Sequence, residues 1–383
     1  MTAEAILDLA GLQALLDALR DRGFSVLGPT VRDGAVVPAP ITSVQQLPRG
    51  WGDEQDAAHY RMRRRDDDAL FGYASGAQSW KPVLFPARQL LWRGRRGGDG
   101  FTVEPPVEGT GGSYDVFGPP PYALIGVRSC DLHAIGIHDT VLLGRAGVDA
   151  HYDDARRDAF VVAVACSDPA GTCFCASMGT GPRPDAGFDL CLTELSTTGE
   201  HRLLVEAGSE RGEEVLAALP RSAADDDDRR AAEEVTATAT ERMGRHLETE
   251  GLREAMYAGV ESPHWDDVAS RCLACGNCTL VCPTCFCTSV DDETDLTGDL
   301  AARVRNWDSC FTGDFSYLHG GSVRASIGSR YRQWATHKLA SWIDQFGTSG
   351  CVGCGRCIAW CPAAIDITEE AAAVQAEARA GGS

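Results

Sequence analysis

The chain has 383 residues, 44% of them apolar and 23% charged, the balance of an ordinary folded protein of two or three domains. Acidic residues outnumber basic ones, 55 against 35, giving a formal net charge of −20. A surface that negative repels phosphate backbones and anionic headgroups, so neither nucleic acid nor membrane is an expected partner. Sixteen cysteines are the outlier. No apolar run approaches the ~20 residues of a membrane span, and residues 1–22 lack the basic start and uninterrupted apolar stretch of an export signal. The chain therefore reads as cytoplasmic, where metal is a commoner use of cysteine than disulfide pairing.

In chain order, Ile6, Leu9, Leu12, Leu16 and Leu19 recur at helical spacing and Gly23 follows as a stop. Residues 24–27 and 35–37 flank Asp33-Gly34, the signature of a hairpin. The stretch 60–68 mixes both charge signs, as a solvated strand end with local ion pairing does. Segments 94–100 and 109–121 are Gly- and Pro-rich loops, the second carrying a Gly-Thr-Gly-Gly too isolated to serve as a phosphate cradle. Residues 122–127 then lead into Cys130, and residues 160–165 lead into Cys166, with the separation of a βαβ unit. If those strands are parallel neighbours, both cysteines reach the carboxyl edge of one sheet, where open α/β sheets bind ligands. Further strands are expected at 188–192 and 202–205, Cys191 being a core residue of the first. A boundary near Arg221 precedes an Ala/Glu/Arg-rich helical stretch over 231–258.

The chain thus divides into a mixed α+β or α/β N-terminal region, 1–221, and a helical connector, 222–261. A mainly helical, ferredoxin-like dicluster domain follows at 262–367, with a long insert, 284–350, that includes a helix over 331–346. Residues 368–383 are expected to be a flexible tail.

One short motif occurs twice: Cys272-x2-Cys275-x2-Cys278-x3-Cys282-Pro283 and Cys351-x2-Cys354-x2-Cys357-x3-Cys361-Pro362. Three thiolates spaced by two residues can wrap three corners of a [4Fe-4S] cube, and Gly276, Gly353 and Gly355 let the backbone approach it. In two-cluster ferredoxins the cysteine before proline ligates the other cluster. Carried over, cluster 1 takes Cys272, Cys275, Cys278 and Cys361, and cluster 2 takes Cys351, Cys354, Cys357 and Cys282. Cys285, Cys287 and Cys310 are alternative fourth ligands, or else buried or redox-protecting thiols. Zinc sites usually pair two ligands on each of two knuckles, and cytosolic reduction disfavours disulfides. A structural metal-binding scaffold without redox role is the rival of another class. Cys130, Cys166, Cys173 and Cys175 gather at the predicted sheet edge and read either as a third cluster or as small buried hydrophobes.

The nine histidines form no catalytic set, His133, His138, His319 and His337 lacking spaced carboxylate partners. There is no Gly-x-Ser-x-Gly, phosphate-loop or dinucleotide motif. The chain carries ligands for electron carriers and no substrate machinery of its own.

Four strings together carry a family resemblance: Gly126-Val-Arg-Ser-Cys-Asp-Leu-His133, Cys173-Phe-Cys-Ala-Ser-Met-Gly-Thr-Gly-Pro182, Cys275-Gly-Asn-Cys-Thr-Leu-Val-Cys-Pro-Thr-Cys-Phe-Cys287 and Gly350-Cys-Val-Gly-Cys-Gly-Arg-Cys357. From about Tyr60 to Ile367 the chain resembles the 4Fe-4S dicluster family. That family includes the beta subunit of cytoplasmic [NiFe] sulfhydrogenases together with the electron-transfer subunit of anaerobic sulfite reductase. The resemblance implies an electron-transfer subunit, not itself catalytic. Its expected partners are [NiFe] hydrogenase or sulfite reductase subunits on one side and a flavin/NAD(P)-binding oxidoreductase subunit on the other. It also strengthens the reading of Cys130, Cys166, Cys173 and Cys175 as ligands of an additional [4Fe-4S] cluster.

Overall fold

The computed structural model describes residues 3–74, 76–98, 100–104, 114–144, 147–196 and 201–381. The Gly-Thr-Gly-Gly stretch lies outside the described residues. The principal strands are β1 (Glu4–Leu7), β2 (Ser25–Arg32), β3 (Ala35–Pro40), β4 (Trp51–Asp56), β5 (His59–Arg64), β6 (Arg88–Gly97) and β7 (Gly100–Glu104). They continue with β8 (Tyr122–Arg128), β9 (Phe160–Val164), β10 (Leu190–Ser196), β11 (Arg202–Ala207), β12 (Thr288–Thr294) and β13 (Leu300–Trp307).

Seven strands form one sheet in the order β1-β11-β10-β9-β8-β2-β3. Its centre, β10-β9-β8-β2, is parallel, and antiparallel strands close both sides. Every residue of β8 and β9 is buried, as expected of parallel strands covered on both faces. Leu12, Leu15, Leu16 and Leu19 of the helix Leu9–Asp21 pack on this sheet with Val26, Ile125, Val162 and Val205. Each such fully buried leucine contributes roughly 2 kcal/mol of transfer free energy. The β2–β3 hairpin turns at Asp33 and Gly34, with φ of 49° and 75°, the left-handed pair that Asp-Gly supplies at low cost.

The helical period beginning at Ile6 is only partly realised. Ile6 lies in β1 opposite Leu204, and Asp8 caps the helix by accepting from the Gly11 N–H at 2.7 Å. The expected loop at 94–100 is largely strand: β6 runs to Gly97, and a Cβ on Gly94 would meet Phe101 of β7 at 2.0 Å. Long-range pairing, invisible in local composition, wins there.

The second half of the chain has its own core of Phe311, Tyr331, Trp334, Leu339, Ile358, Ile365 and Val374. The expected helix over 331–346 is present as Ile327–Thr336, a π-helical turn His337–Ser341 and Trp342–Phe346. The insert also contributes an element the helical reading did not anticipate. Its strands β12 and β13 form a hairpin whose second strand pairs antiparallel with β6, giving a sheet β12-β13-β6-β7 shared by both halves. The segment expected to fray is a helix, Ile367–Gly381, anchored by Ala371 and Val374, which are 2% and 0% exposed. Among the described residues no helix is long and apolar enough to cross a membrane.

Candidate metal centre

The two cysteine motifs fold alike. Ala274 and Gly353 each stand two residues after the first cysteine with left-handed φ, 50° and 63°, and Gly276 and Gly355 follow with 76° and 70°. Each loop then enters a short helical turn, Asn277–Leu280 or Arg356–Ala359. The bend turns backbone donors onto sulfur: the Ala274 N–H donates to Cys272 Sγ at 3.4 Å and the Gly353 N–H to Cys351 Sγ at 3.5 Å. After the second motif the Ile365 N–H donates to Cys361 Sγ at 3.4 Å. Such N–H···S bonds stabilise negative charge on thiolate and cluster.

Cys272, Cys275, Cys278 and Cys361 line one pocket, which Cys357 of the second motif also reaches, walled by Phe311, Tyr331, Trp334 and Ile365. Burial, and then the neighbouring Cys272, Cys361 and Cys275, push the Cys278 thiol up. Around Cys357 the sequence-distant Cys282 joins Cys351 and Cys354, and burial followed by these thiols and by Cys278 of the first motif raises it well above the usual range. The fold therefore brings each pre-proline cysteine to the opposite motif. Burial pushes Cys351 up to about 12 despite the pull of Lys338. Thiols this hard to ionise are poor free thiolates; a bound metal core would supply the charge that replaces the proton. Among the described residues no three His, Cys, Asp or Glu side chains converge tightly enough for a single ion.

Cys130 opens the helix Ser129–Leu142 directly after β8, and Cys166 follows β9, so the predicted parallel pair does deliver both to one edge. Cys173 and Cys175 come from the loop after Cys166. Burial pushes Cys175 up to about 12, with Cys166 and Cys354 adding to the effect, and raises Cys173, which also feels Cys175 and Cys166. The same effect acts on Cys130, beside Asp131 and Cys175. The loop that carries Cys173 and Cys175 adjoins the second motif. The Phe174 N–H donates to the Gly353 carbonyl at 2.8 Å, Thr180 Oγ1 donates to the Val352 carbonyl at 2.7 Å, and the Cys173 thiol approaches the Cys354 carbonyl at 3.8 Å.

This contact explains two of the three motif glycines. A Cβ on Gly353 would meet the Cys175 backbone at 2.7 Å, and one on Gly355 the Thr172 carbonyl oxygen at 2.2 Å. Their smoothness serves the packing of one cysteine loop on another. At Gly276 the neighbour is the Ser309 side chain, 3.2 Å away.

Cations complete the site, and the sequence reading missed them. Lys338, on the π-helical turn, is buried and donates to Cys282 Sγ at 3.2 Å, Thr284 Oγ1 at 2.7 Å and the Gly350 carbonyl at 3.3 Å. Thiols Cys282, Cys285 and Cys351 hold its ammonium protonated against desolvation. Lys81 donates to the Cys285 carbonyl at 3.3 Å and lies 3.7 Å over the Trp307 ring, burial bringing it down to about 8. Arg356, 1% exposed, pairs with Asp131 at 3.0 Å between Cys354 and Cys130. Arg128 is buried beside Cys166 and donates to the Phe71 and Tyr73 carbonyls at 2.6 and 2.8 Å. A lysine within an aromatic-rich helical stretch was the one signal available for Lys338; Arg356 had none beyond its place in the motif.

Cys191 is core in β10, as expected, 1% exposed. His138 is buried and held neutral, lowered to about 3 by desolvation, and His337 to about 4.

A family model described as a 4Fe-4S dicluster domain matches residues 271–365, the span of both motifs. A relative, sulfhydrogenase 2 subunit beta of Pyrococcus furiosus, is 36% identical over 258 residues, covering 66% of this chain and 73% of its own length. The chain belongs to this sulfhydrogenase beta family. Its dicluster domain implies two [4Fe-4S] clusters. No solved structure matches the chain.

Proposed function

We propose that the chain is an iron–sulfur electron-transfer subunit of sulfhydrogenase beta type with three clusters in line. In this reading Cys272, Cys275, Cys278 and Cys361 hold cluster 1; Cys351, Cys354, Cys357 and Cys282 hold cluster 2; and Cys130, Cys166, Cys173 and Cys175 hold a third. The relative's name supports the assignment to a hydrogenase complex in preference to a sulfite reductase. Its partners are then the [NiFe] hydrogenase subunits and a flavin/NAD(P)-binding subunit. The observation that carries the relay is the stitching of the Thr172–Cys175 loop onto the second motif, with Cys282 and Cys357 next in line towards Cys278. Bound clusters supply one-electron redox chemistry. The protein's part is to hold the thiolates apart, to direct N–H donors and buried cations at them, and to exclude water with Phe311, Tyr331 and Trp334.

Iron and acid-labile sulfide analysis of anaerobically purified chain, followed by reductive titration with electron paramagnetic resonance, tests this. Three cluster equivalents with low potentials are expected. Two would remove the third site, and zinc without iron would remove the relay. Co-purification with nickel-containing subunits identifies the complex.

A further inference from the structure

A cation serves the second ligand set, where Lys338 reaches Cys282 Sγ at 3.2 Å. The pocket of the first set is built differently: among the described residues its lining holds no lysine, arginine, aspartate or glutamate. Apart from the cysteines, its polar side chains are Asn277, Tyr331 and Trp334. Asn277 is already engaged, its Nδ2 donating to the Trp360 carbonyl at 3.3 Å. The Tyr331 hydroxyl and the Trp334 indole N–H are buried and have no hydrogen-bond partner, on residues each 3% exposed.

The two residues stand three apart on the helix Ile327–Thr336 and so share a face, their ring centroids 5.4 Å from each other. Trp265 and Phe311 pack on the Tyr331 ring at centroid distances of 6.1 Å, and neither side chain, nor that of Trp334, offers an acceptor. Glu370, the carboxylate that acts on the hydroxyl, is occupied by His264 at 2.5 Å and Arg271 at 2.9 Å. Buried donors in native proteins are almost always satisfied. Two orphaned donors on the wall of one cysteine-lined pocket therefore call for an acceptor inside it, and the sulfurs of an iron–sulfur core accept hydrogen bonds.

We propose that Tyr331 Oη and Trp334 Nε1 donate hydrogen bonds to the sulfurs of cluster 1 and so raise its reduction potential. This rests on Cys272, Cys275, Cys278 and Cys361 being that cluster's ligands. A donor at sulfur favours the reduced, more negative state over the oxidised one, which draws the electron in. Burial, with Glu370, Cys278, Cys357 and Cys361 adding to it, keeps the hydroxyl protonated and able to donate. Tyr331 and Trp334 are thus positioning residues that act on potential through neutral dipoles, where Lys338 acts on cluster 2 through charge.

The test is a redox titration of the full chain, purified anaerobically and followed by electron paramagnetic resonance, with cluster 1 assigned by the resonance that changes in Cys275→Ser. At a fixed ambient potential the reduced-to-oxidised ratio of that cluster should fall about threefold in Tyr331→Phe and about tenfold in the double variant with Trp334→Phe, the latter being ~59 mV for a one-electron couple. After exchange into deuterium oxide, electron–nuclear double resonance of the reduced cluster should show a deuteron coupling that Tyr331→Phe lacks, with iron content unchanged. Phe311→Leu loosens the same wall without removing a donor, and should leave the ratio near the wild-type value. The proposal is overturned if the ratio or the deuteron couplings are unchanged in Tyr331→Phe, if Phe311→Leu lowers the ratio as far, or if Tyr331→Phe loses iron, which would make the tyrosine structural only. A Cys275→Ser chain with every resonance unaltered would instead refute the ligand set beneath it.

Discussion

Replacing Lys338 by methionine should lower the reduction potential of cluster 2. The ammonium lies 3.2 Å from Cys282 Sγ and is buried, so water and salt screen it weakly. An electron added to a cluster held at that sulfur would spread over a core on the order of 6 Å from Nζ. At an effective dielectric constant of about 20 a unit charge at that distance is worth roughly 2.8 kcal/mol. For a one-electron couple this converts to about 120 mV. The sign follows from charge: a cation favours the more negative, reduced state, so its removal makes reduction harder. Methionine nearly matches lysine in volume, which limits repacking of the π-helical turn. The assay is a redox titration of the full chain followed by electron paramagnetic resonance, with Thr284→Val as the control that alters the hydrogen bonding and keeps the charge. A shift in Lys338→Met below about 30 mV, or an upward one, would show that the Coulomb argument does not govern this site.

Cys282→Ser should alter the resonance of the cluster held by Cys351, Cys354 and Cys357; change confined to the Cys272 site would refute the crossed ligand sets. Gly355→Ala should destabilise the chain by about 2–3 kcal/mol, because φ is 70° and the new Cβ would meet the Thr172 carbonyl at 2.2 Å. Denaturant unfolding measures the loss, and resonance of the proposed third cluster should be disturbed with it. Asp53 is raised to about 6, mainly by burial and against hydrogen bonds from Gln55 and the Ala74 N–H. A carboxyl raised on folding contributes stability that is full below its unfolded value and is lost as pH rises through the folded one. Unfolding temperature should therefore fall between about pH 4 and pH 6, by the equivalent of roughly 3 kcal/mol, and Asp53→Asn should flatten that slope. An unchanged slope in the variant would assign the titration elsewhere.

Local signals in the sequence were reliable where chemistry is local. The cysteine spacing announced the dicluster domain, Asp33-Gly34 announced its hairpin, and the apolar runs before Cys130 and Cys166 announced parallel neighbours. What failed depends on partners far along the chain. Ile6 extends a helical period yet pairs with Leu204, since an edge of the sheet was open to it. The β12–β13 hairpin went unseen within an insert of a mainly helical domain because its residues are largely polar and exposed, and β6, far along the chain, extends it into a sheet. Lys338 and Arg356 violate the rule that charges stay outside; they are tolerated because thiols and Asp131 compensate them. The glycines at 353 and 355 were legible as special, but their neighbour proved to be protein backbone.

The sheet shared by β13 and β6 has a consequence for any attempt to obtain a minimal redox module. Cutting the chain after the connector would strand β13 as a bare edge, a template for intermolecular strand addition. It would also strip Lys81 from the face of Trp307 and Phe174 from its seat on Gly353. The dicluster half and the α/β half are thus one cooperative object, and an excised C-terminal fragment would be expected to aggregate before it could conduct.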